Sequence, residues 1–398
     1  MSPIAASGKR IYLDNSAVTA IDPEVLGVLL PYFDSGYGNP SSIHGSGRRS
    51  RQAIEKARGE IAEILEVRPD EIIFTGSGTE ADNLALIGIA RANKARGNHI
   101  IVSTVEHKAI LEAVQVLKGE GFIVTFLPVN ERGLIDVDTC LKGITEQTIL
   151  ISVMYVNNEI GTVEPIQTLA QELAKRRRDR FPLLHTDACQ ASNLFPLTVG
   201  ALGVDLMTVN GSKIYGPSGV GFLYKKAEVK IAPLIVGGEQ EKNLRAGTES
   251  VPFIVGLAAA LRKAQRLRKT EYERLRQLRK YFIAGLKAAL PNIIINGDAI
   301  RQTPAIVHVT VPFIEGESML LKLDHFGIDV STGSACSAFD LRPSHVLLAI
   351  GQHPDLVHGS IRFSMGRHTT QEELDYVVSV FPGIVHELTH LSALTRTV

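Results

Sequence analysis

Short apolar runs alternate with longer amphipathic stretches through the first two-thirds of the chain. Seven runs read as strands: Glu71–Thr75, His99–Ser103, Ile123–Leu127, Ile149–Val153, Leu183–Thr186, Leu206–Asn210 and Gly221–Tyr224. Their apolarity is continuous rather than alternating, which predicts strands buried on both faces of a mostly parallel sheet. Between them, Ala81–Arg96, Ala109–Lys118 and Pro165–Arg180 have helical spacing, so the expected architecture is α/β with helices on both faces. The Arg176–Arg180 cluster is expected to close the last of these helices at the surface, where the dipole favours cations.

After Leu257 the texture changes. Leu275, Leu278, Phe282, Leu286 and Leu290 are spaced by three and four, which predicts a helix over Ala258–Leu290 ended by Pro291. Lys263, Arg266, Arg268, Lys269, Arg274 and Arg276 fill its other faces and read as a solvated surface. Ala305–Val311, Ile328–Ser331 and Ser360–Phe363 read as strands of a smaller α+β unit. The expected division is a large domain over 17–262 and a small one made of 1–16 with 263–398.

Composition narrows the field. The chain has 398 residues, with 42 Lys+Arg against 42 Asp+Glu, and so offers no net field to hold a polyanion. Hydrophobic residues at 44% and charged residues at 21% fit a packed globular protein. Cys140, Cys189 and Cys336 lie far apart without a C-x-x-C pair, so neither a disulfide framework nor a metal site is indicated. Before the first charged residues there is no apolar stretch of signal-peptide length, and no membrane span is expected. These features point to a soluble cytoplasmic protein with no direct nucleic-acid contact.

Three segments bring chemistry. Phe74–Asn83 runs from a strand through Gly76-Ser77-Gly78 into a helix, and Ser77 with Glu80 has capping-box spacing. By itself it reads either as a phosphate site at a helix start or as an ordinary capped turn. His185–Gln190 places Asp187 at the carboxyl end of a strand, where open α/β sheets bind ligands; a helix-cap Asp is the plainer reading. Thr208–Gly221 puts Lys213 after another buried strand and before a glycine-rich turn. A sheltered Lys there suits Schiff-base chemistry, and a solvated Lys beside a turn is the alternative. A strand-end Asp, a further strand and then a Lys is the order used by one large class of pyridoxal-phosphate enzymes.

With those residues in place, the chain resembles the cysteine desulfurases of the NifS/IscS type, in the class V, fold-type-I pyridoxal-phosphate family. The resemblance rests on ten ordered blocks: Tyr12–Asn15, Gly38–Ser42, Gly76–Asn83, Glu106–Lys108, Val156–Gly161, Asp187–Gln190, Lys213–Gly221, Arg245–Glu249, Gly333–Cys336 and Ser360–Gly366. It implies that Lys213 holds pyridoxal 5′-phosphate as an internal aldimine and later moves protons. Asp187 would pair with the ring nitrogen, Gln190 with the ring hydroxyl, and His107 would stack on the ring and act as acid/base. Gly78, Thr79, Asn210 and Ser212 would hold the phosphate, joined by Thr248 from a second subunit of a homodimer. Asn157, counted also among the cofactor contacts, and Arg362 would bind the substrate carboxylate, with Asn39 assisting.

The same resemblance makes Cys336 the nucleophile, set among the small residues of Ser331–Ala338. It would take sulfur from L-cysteine as a persulfide, leave L-alanine, and pass the sulfur to an acceptor such as an iron–sulfur scaffold or a thiolation enzyme. Cys140 and Cys189 read as small buried cysteines. The chain departs from the family at Asn210-Gly211-Ser212-Lys213, where Ser-x-His-Lys is usual, at Ser218, where Lys is usual, and at Leu13–Thr19. Ser212 brings no positive charge, so a working but weaker cofactor site is expected. Two other readings compete: another class V enzyme, such as a selenocysteine lyase or aminotransferase, and a non-catalytic scaffold on the same fold.

Overall fold

A seven-stranded sheet organises the computed structural model, which describes residues 10–177, 179–332 and 343–391. Its strands are β2 (Ile72–Thr75), β3 (His99–Ser103), β4 (Ile123–Leu127), β5 (Thr148–Ser152), β6 (Leu183–Asp187), β7 (Leu206–Asn210) and β8 (Gly221–Lys225). Their order is β2-β8-β7-β6-β5-β3-β4. Only β8 runs against its neighbours, because the turn from β7 to β8 is too short for a crossover helix. The sheet is the mostly parallel one that continuous apolarity predicts, with buried side chains on both faces. β4 differs: it is an edge strand paired only with β3, and Ile123 is 59% exposed.

The remaining strands form two small sheets. β1 (Ile11–Tyr12) pairs parallel with β11 (Ile328–Asp329). β10 (Ile306–Thr310) lies antiparallel between β9 (Ile294–Ile295) and β12 (Ser360–Ser364). A second core packs around them, including Leu275, Phe282, Val307, Phe363 and Phe381.

Three helices differ from expectation. The stretch after β2 begins at Gly78, passes through a π-turn at Leu84–Gly88, and ends at Ala92. The helix Ile166–Ala174 stops before the arginine cluster. Beyond it, Arg177 pairs with buried Asp205 at 2.6 Å, and Asp205 also accepts the Leu184 N–H at 2.8 Å. That contact draws the chain into β6 rather than leaving it at a helix end. The long helix starts seven residues early, at Val251, with Pro252 in its first turn, and ends at Ala289. Its first part is buried against the seven-stranded sheet through Ile254, Leu257 and Leu261, and its later part joins the second core.

Nor is its polar face simply solvated. Lys263 bonds buried Asp22 at 2.9 Å, and Arg274 donates to the carbonyls of Gly366, Arg367 and Thr369. Arg266, Lys269 and Arg276 are exposed as expected. No helix among the described residues is long and apolar enough to cross a membrane.

Candidate active site

The carboxyl ends of β6 and β7, the start of the Gly78 helix and the N-terminal strap at 13–19 meet in one place. Asn210 ends β7 and caps a single 3₁₀ turn, Gly211–Lys213, by accepting the Ser212 N–H at 3.3 Å. The strap fastens that turn: Thr19 donates its N–H and its hydroxyl to the Ser212 carbonyl at 2.9 and 3.0 Å. Thr19 Oγ1 accepts the N–H of Tyr215, a residue with φ of +63°. Lys213 Nζ then donates to the carbonyl oxygens of Ser16, at 3.0 Å, and Ala17. Gln190 Nε2 reaches the same Ser16 oxygen at 2.9 Å.

Asp187 is buried at the end of β6, and its Oδ1 accepts the Cys189 N–H at 2.8 Å, which fixes the plane of the carboxylate. Beneath it lies a polar set that motif reading did not single out. His185 Nδ1 meets Ser152 Oγ at 2.9 Å, and Nε2 meets Thr208 Oγ1 at 3.1 Å, with Asp82 Oδ1 at 3.8 Å. Burial pushes the His185 pKa down to about 4, so the ring is neutral near pH 7. Burial first, and then the charge of Asp187, push the Asp82 carboxyl well above its ordinary range. The signal in the sequence for this set is that Ser152, His185 and Thr208 are polar residues within strands that otherwise read as apolar, and that Asp82 is an acid in the first turns of the Gly78 helix.

The Gly78 helix packs tightly against this group. A Cβ on Gly78 would lie 2.9 Å from Cys189 Sγ and 3.2 Å from Asn210 Cβ, so glycine is what lets β6, β7 and the helix start converge. Ser77 Oγ caps the helix through the Glu80 N–H at 3.1 Å, and Glu80 returns to the Gly76 N–H at 2.8 Å. Thr79 is exposed at the helix start. Cys189 is buried, with its thiol pKa raised by burial and by the Asp187 charge; burial raises Cys140 to about 12. Both thiols therefore stay protonated and unreactive.

Other predicted residues fall around this centre. His107 is half-buried and caps the helix Lys108–Gly119, its Nδ1 accepting the Ala109 N–H at 3.1 Å; Nδ1 therefore carries no proton. Asn157 is fully buried, and its Oδ1 accepts the N–H groups of Glu159 and Ile160, both at 2.9 Å. Its Nδ2 donates to Val105 O at 3.0 Å and to the weak acceptor Met154 Sδ at 3.4 Å. The side chain thus shapes the 157–160 turn. Asn39 is exposed and accepts the Ser41 N–H at 2.9 Å, and Thr248 is exposed.

Arg362 stands on β12, only 2% exposed, with Nη1 on Asn158 O and Nη2 on Asp14 Oδ1, each at 2.8 Å. Its Nε is buried without a hydrogen-bond partner, a donor prepared for an acceptor. The backbone of Arg362 also pairs with Ser331. Cys336 lies outside the described residues. On the far side of that segment, Ser344 donates to buried Glu159 at 2.5 Å and caps the helix His345–Ala349. Burial raises Glu159 to about 7, and it raises Glu106 and Glu164 to about 8.

Known proteins resemble this arrangement over nearly its full length. The model of the family described as aminotransferase class-V matches residues 11–377. The chain is 46% identical over 384 residues to "Cysteine desulfurase IscS" of Dictyoglomus turgidum, covering 96% of each chain. It is 46% identical over 388 residues to the protein of the same name from Clostridium botulinum, covering 97% of each. Among solved structures, a NifS-like protein aligns with a TM-score of 0.89 at 35% identity, over 95% of this chain and 100% of that one.

Proposed function

We infer, because the chain belongs to the aminotransferase class-V family and is a cysteine desulfurase, that the Lys213–Asp187 cleft holds pyridoxal 5′-phosphate and that Cys336 receives the sulfur. The observation that carries this reading is the convergence of Lys213 and Gln190 on one strap carbonyl beside the strand-end carboxylate of Asp187. The groups present suit that cofactor: an amine for the aldehyde, a carboxylate to accept from the ring nitrogen, an amide for the ring hydroxyl, and a glycine-led helix start for the phosphate. When bound, pyridoxal phosphate withdraws electrons from the substrate Cα and so weakens its Cα–H and Cβ–S bonds.

The protein supplies position and protons. Lys213 Nζ attaches the cofactor and afterwards carries the proton lost from Cα. Asp187 would set its carboxylate beside the ring nitrogen and favour that nitrogen's protonated form. His107, unprotonated at Nδ1, presents Nε2 for stacking and proton transfer. Arg362, with its unpartnered Nε, takes the substrate carboxylate, and Asn157 Nδ2 turns to it the proton now held only by the weak acceptor Met154 Sδ. Asn39 assists. Thr79, Asn210 and Ser212 contribute donors to the phosphate, and the absence of a cation at Ser212 makes cofactor retention weaker than a Ser-x-His-Lys site would give. Thr248, exposed on this protomer, serves the phosphate of a second subunit.

Sulfur transfer balances without an added redox partner. The Cys336 thiolate would attack substrate Sγ: an S–S bond forms, the Cβ–Sγ bond breaks, and its electron pair stays on the substrate carbon side, for which bound pyridoxal phosphate would supply the electron sink. Lys213 Nζ would return a proton to that carbon side, and alanine would leave. The persulfide then passes to an acceptor thiol, on an iron–sulfur scaffold or a thiolation enzyme. The deciding experiment supplies purified protein with pyridoxal phosphate, L-cysteine and a thiol reductant. Equal amounts of alanine and sulfide are expected, with both lost in Cys336→Ser. Alanine production that survives that substitution, or none from the intact protein, would overturn the reading.

A further inference from the structure

The segment that leads to Thr248 is strained. Glu241, Lys242 and Asn243 have φ of +45°, +58° and +65°, three consecutive non-glycine residues in the left-handed region. Residues with a Cβ visit that region singly, so a run of three persists only where the surroundings over-determine it. What over-determines it here is a buried ion pair. Glu241 accepts from Arg58 Nη1 and Nη2 at 2.9 and 2.7 Å and from the Phe74 N–H at 2.8 Å. Arg58 also donates to Ile72 O at 2.7 Å, and its guanidinium lies 4.7 Å from the Phe74 ring centroid. Both side chains are nearly sealed from solvent, at 7% and 2% exposure.

The same segment is tied a second time. Arg245 Nε bonds Glu80 Oε1 at 2.9 Å, and Glu80 is the residue that bonds the Gly76 N–H at the start of the phosphate cradle. Between that tie and exposed Thr248 stands Gly247, with φ of +106°. The two ties therefore attach 241–245 to β2 and to the turn that follows it, and Thr248 projects outward from a rigid mount. The bonds of Arg58 and Glu241 go to β2, to each other and, from Arg58 Nε, to Glu55 on the same helix at 3.3 Å, behind the cradle rather than into the cleft.

We propose that the Arg58–Glu241 pair is a positioning clamp acting in trans: it holds the strained 241–243 backbone so that Thr248 meets the cofactor phosphate bound by a second copy of this chain. This rests on the reading of Thr248 given above. Neither clamp residue touches cofactor. Their loss loosens the mount and lowers the fraction of chains with Thr248 in place, which weakens cofactor retention in the partner and not in the protomer that carries the change.

Mixed dimers of two differently tagged chains test this. One chain carries Lys213→Ala, so that covalently attached cofactor reports only the site on the other chain. Placing Glu241→Gln, which keeps the side chain's shape, on the Lys213→Ala chain is expected to weaken pyridoxal phosphate binding at the intact site about tenfold, the effect of a competent fraction falling to roughly 0.1. Placing it on the Lys213-bearing chain is expected to leave binding unchanged. Arg58→Met is expected to repeat both results; if that chain does not fold, the Glu241→Gln pair decides alone. Equal weakening from either placement, or none, overturns the clamp. Thr248→Ala in the same two placements separates the premise: no effect in trans refutes the shared site itself, whereas a Thr248 effect without a Glu241 effect refutes only the clamp.

Discussion

Lys213 and Gln190 donate to the same oxygen, the carbonyl of Ser16, at 3.0 and 2.9 Å. The strap therefore sets the amine and the amide at one height above the strand ends, although Lys213 lies 197 residues further along the chain. Lys213→Ala is expected to abolish alanine formation. Gln190→Leu removes one partly buried hydrogen bond, worth about 1 kcal/mol, and is expected to weaken cofactor binding about fivefold while leaving slow turnover. Titration with pyridoxal phosphate, followed by absorbance, measures both.

Arg362 offers a planar fork whose Nη atoms are already held by Asn158 and Asp14 and whose Nε is unpartnered. Lysine keeps the charge and loses the fork. Arg362→Lys is expected to raise KM for cysteine by about 10- to 100-fold, the cost of a bidentate charge-assisted pair, with a smaller change in kcat. Steady-state kinetics of alanine release would count against this role if KM stayed within twofold.

Gly78 leaves no room for a side chain between Cys189 and Asn210. Gly78→Ala is expected to cost about 1–3 kcal/mol of stability through overpacking and to weaken cofactor binding with it. Because the nearest clash is with Cys189 Sγ, adding Cys189→Ala is expected to recover most of the loss. Melting temperatures of the two single variants and the double variant give the coupling; simple additivity would show that the sulfur is not the obstacle.

Stability is expected to fall between pH 6.5 and 8. Burial holds Glu106 and Glu164 at about 8, against a usual value near 4.5, so through this window the folded state keeps protons that the unfolded chain has released. Such raised carboxyls contribute most below pH 4.5 and lose that contribution as pH rises through about 8. Buried His185, at about 4, and His308, at about 3, act in the opposite sense, but only below 6.5, where an unfolded imidazole takes up a proton. Each carboxyl is expected to contribute at most about 2 kcal/mol of the decline. Glu106→Gln is expected to flatten it, as read from urea midpoints at the two pH values.

The seven strands of the main sheet were legible because each is a short, largely apolar run, and in all but β4 that apolarity goes with burial. The edge position of β4 was not, since nothing local says that Ile123 lacks a covering neighbour. Lys263 and Arg274 read as solvated because their partners, Asp22 and the carbonyls of Gly366, Arg367 and Thr369, lie far away in sequence. The arginine cluster after Ala174 misled for the same reason: Asp205 overrode a local end-of-helix pattern.

The sequence by itself determined the alternation of strands and helices, the strand-end places of Asp187 and Lys213, and the family, since all are carried by neighbouring residues in fixed order. Tertiary structure alone decided that Ser16 O gathers Lys213 and Gln190, that Asp14 meets Arg362 across 348 residues, and that His185 and Asp82 lie buried together under Asp187. The physical reason is one of range. Apolar periodicity and turn chemistry act over a few residues, whereas hydrogen bonds and charge shifts depend on which distant groups share a dry space, and that is defined only once the layers have packed.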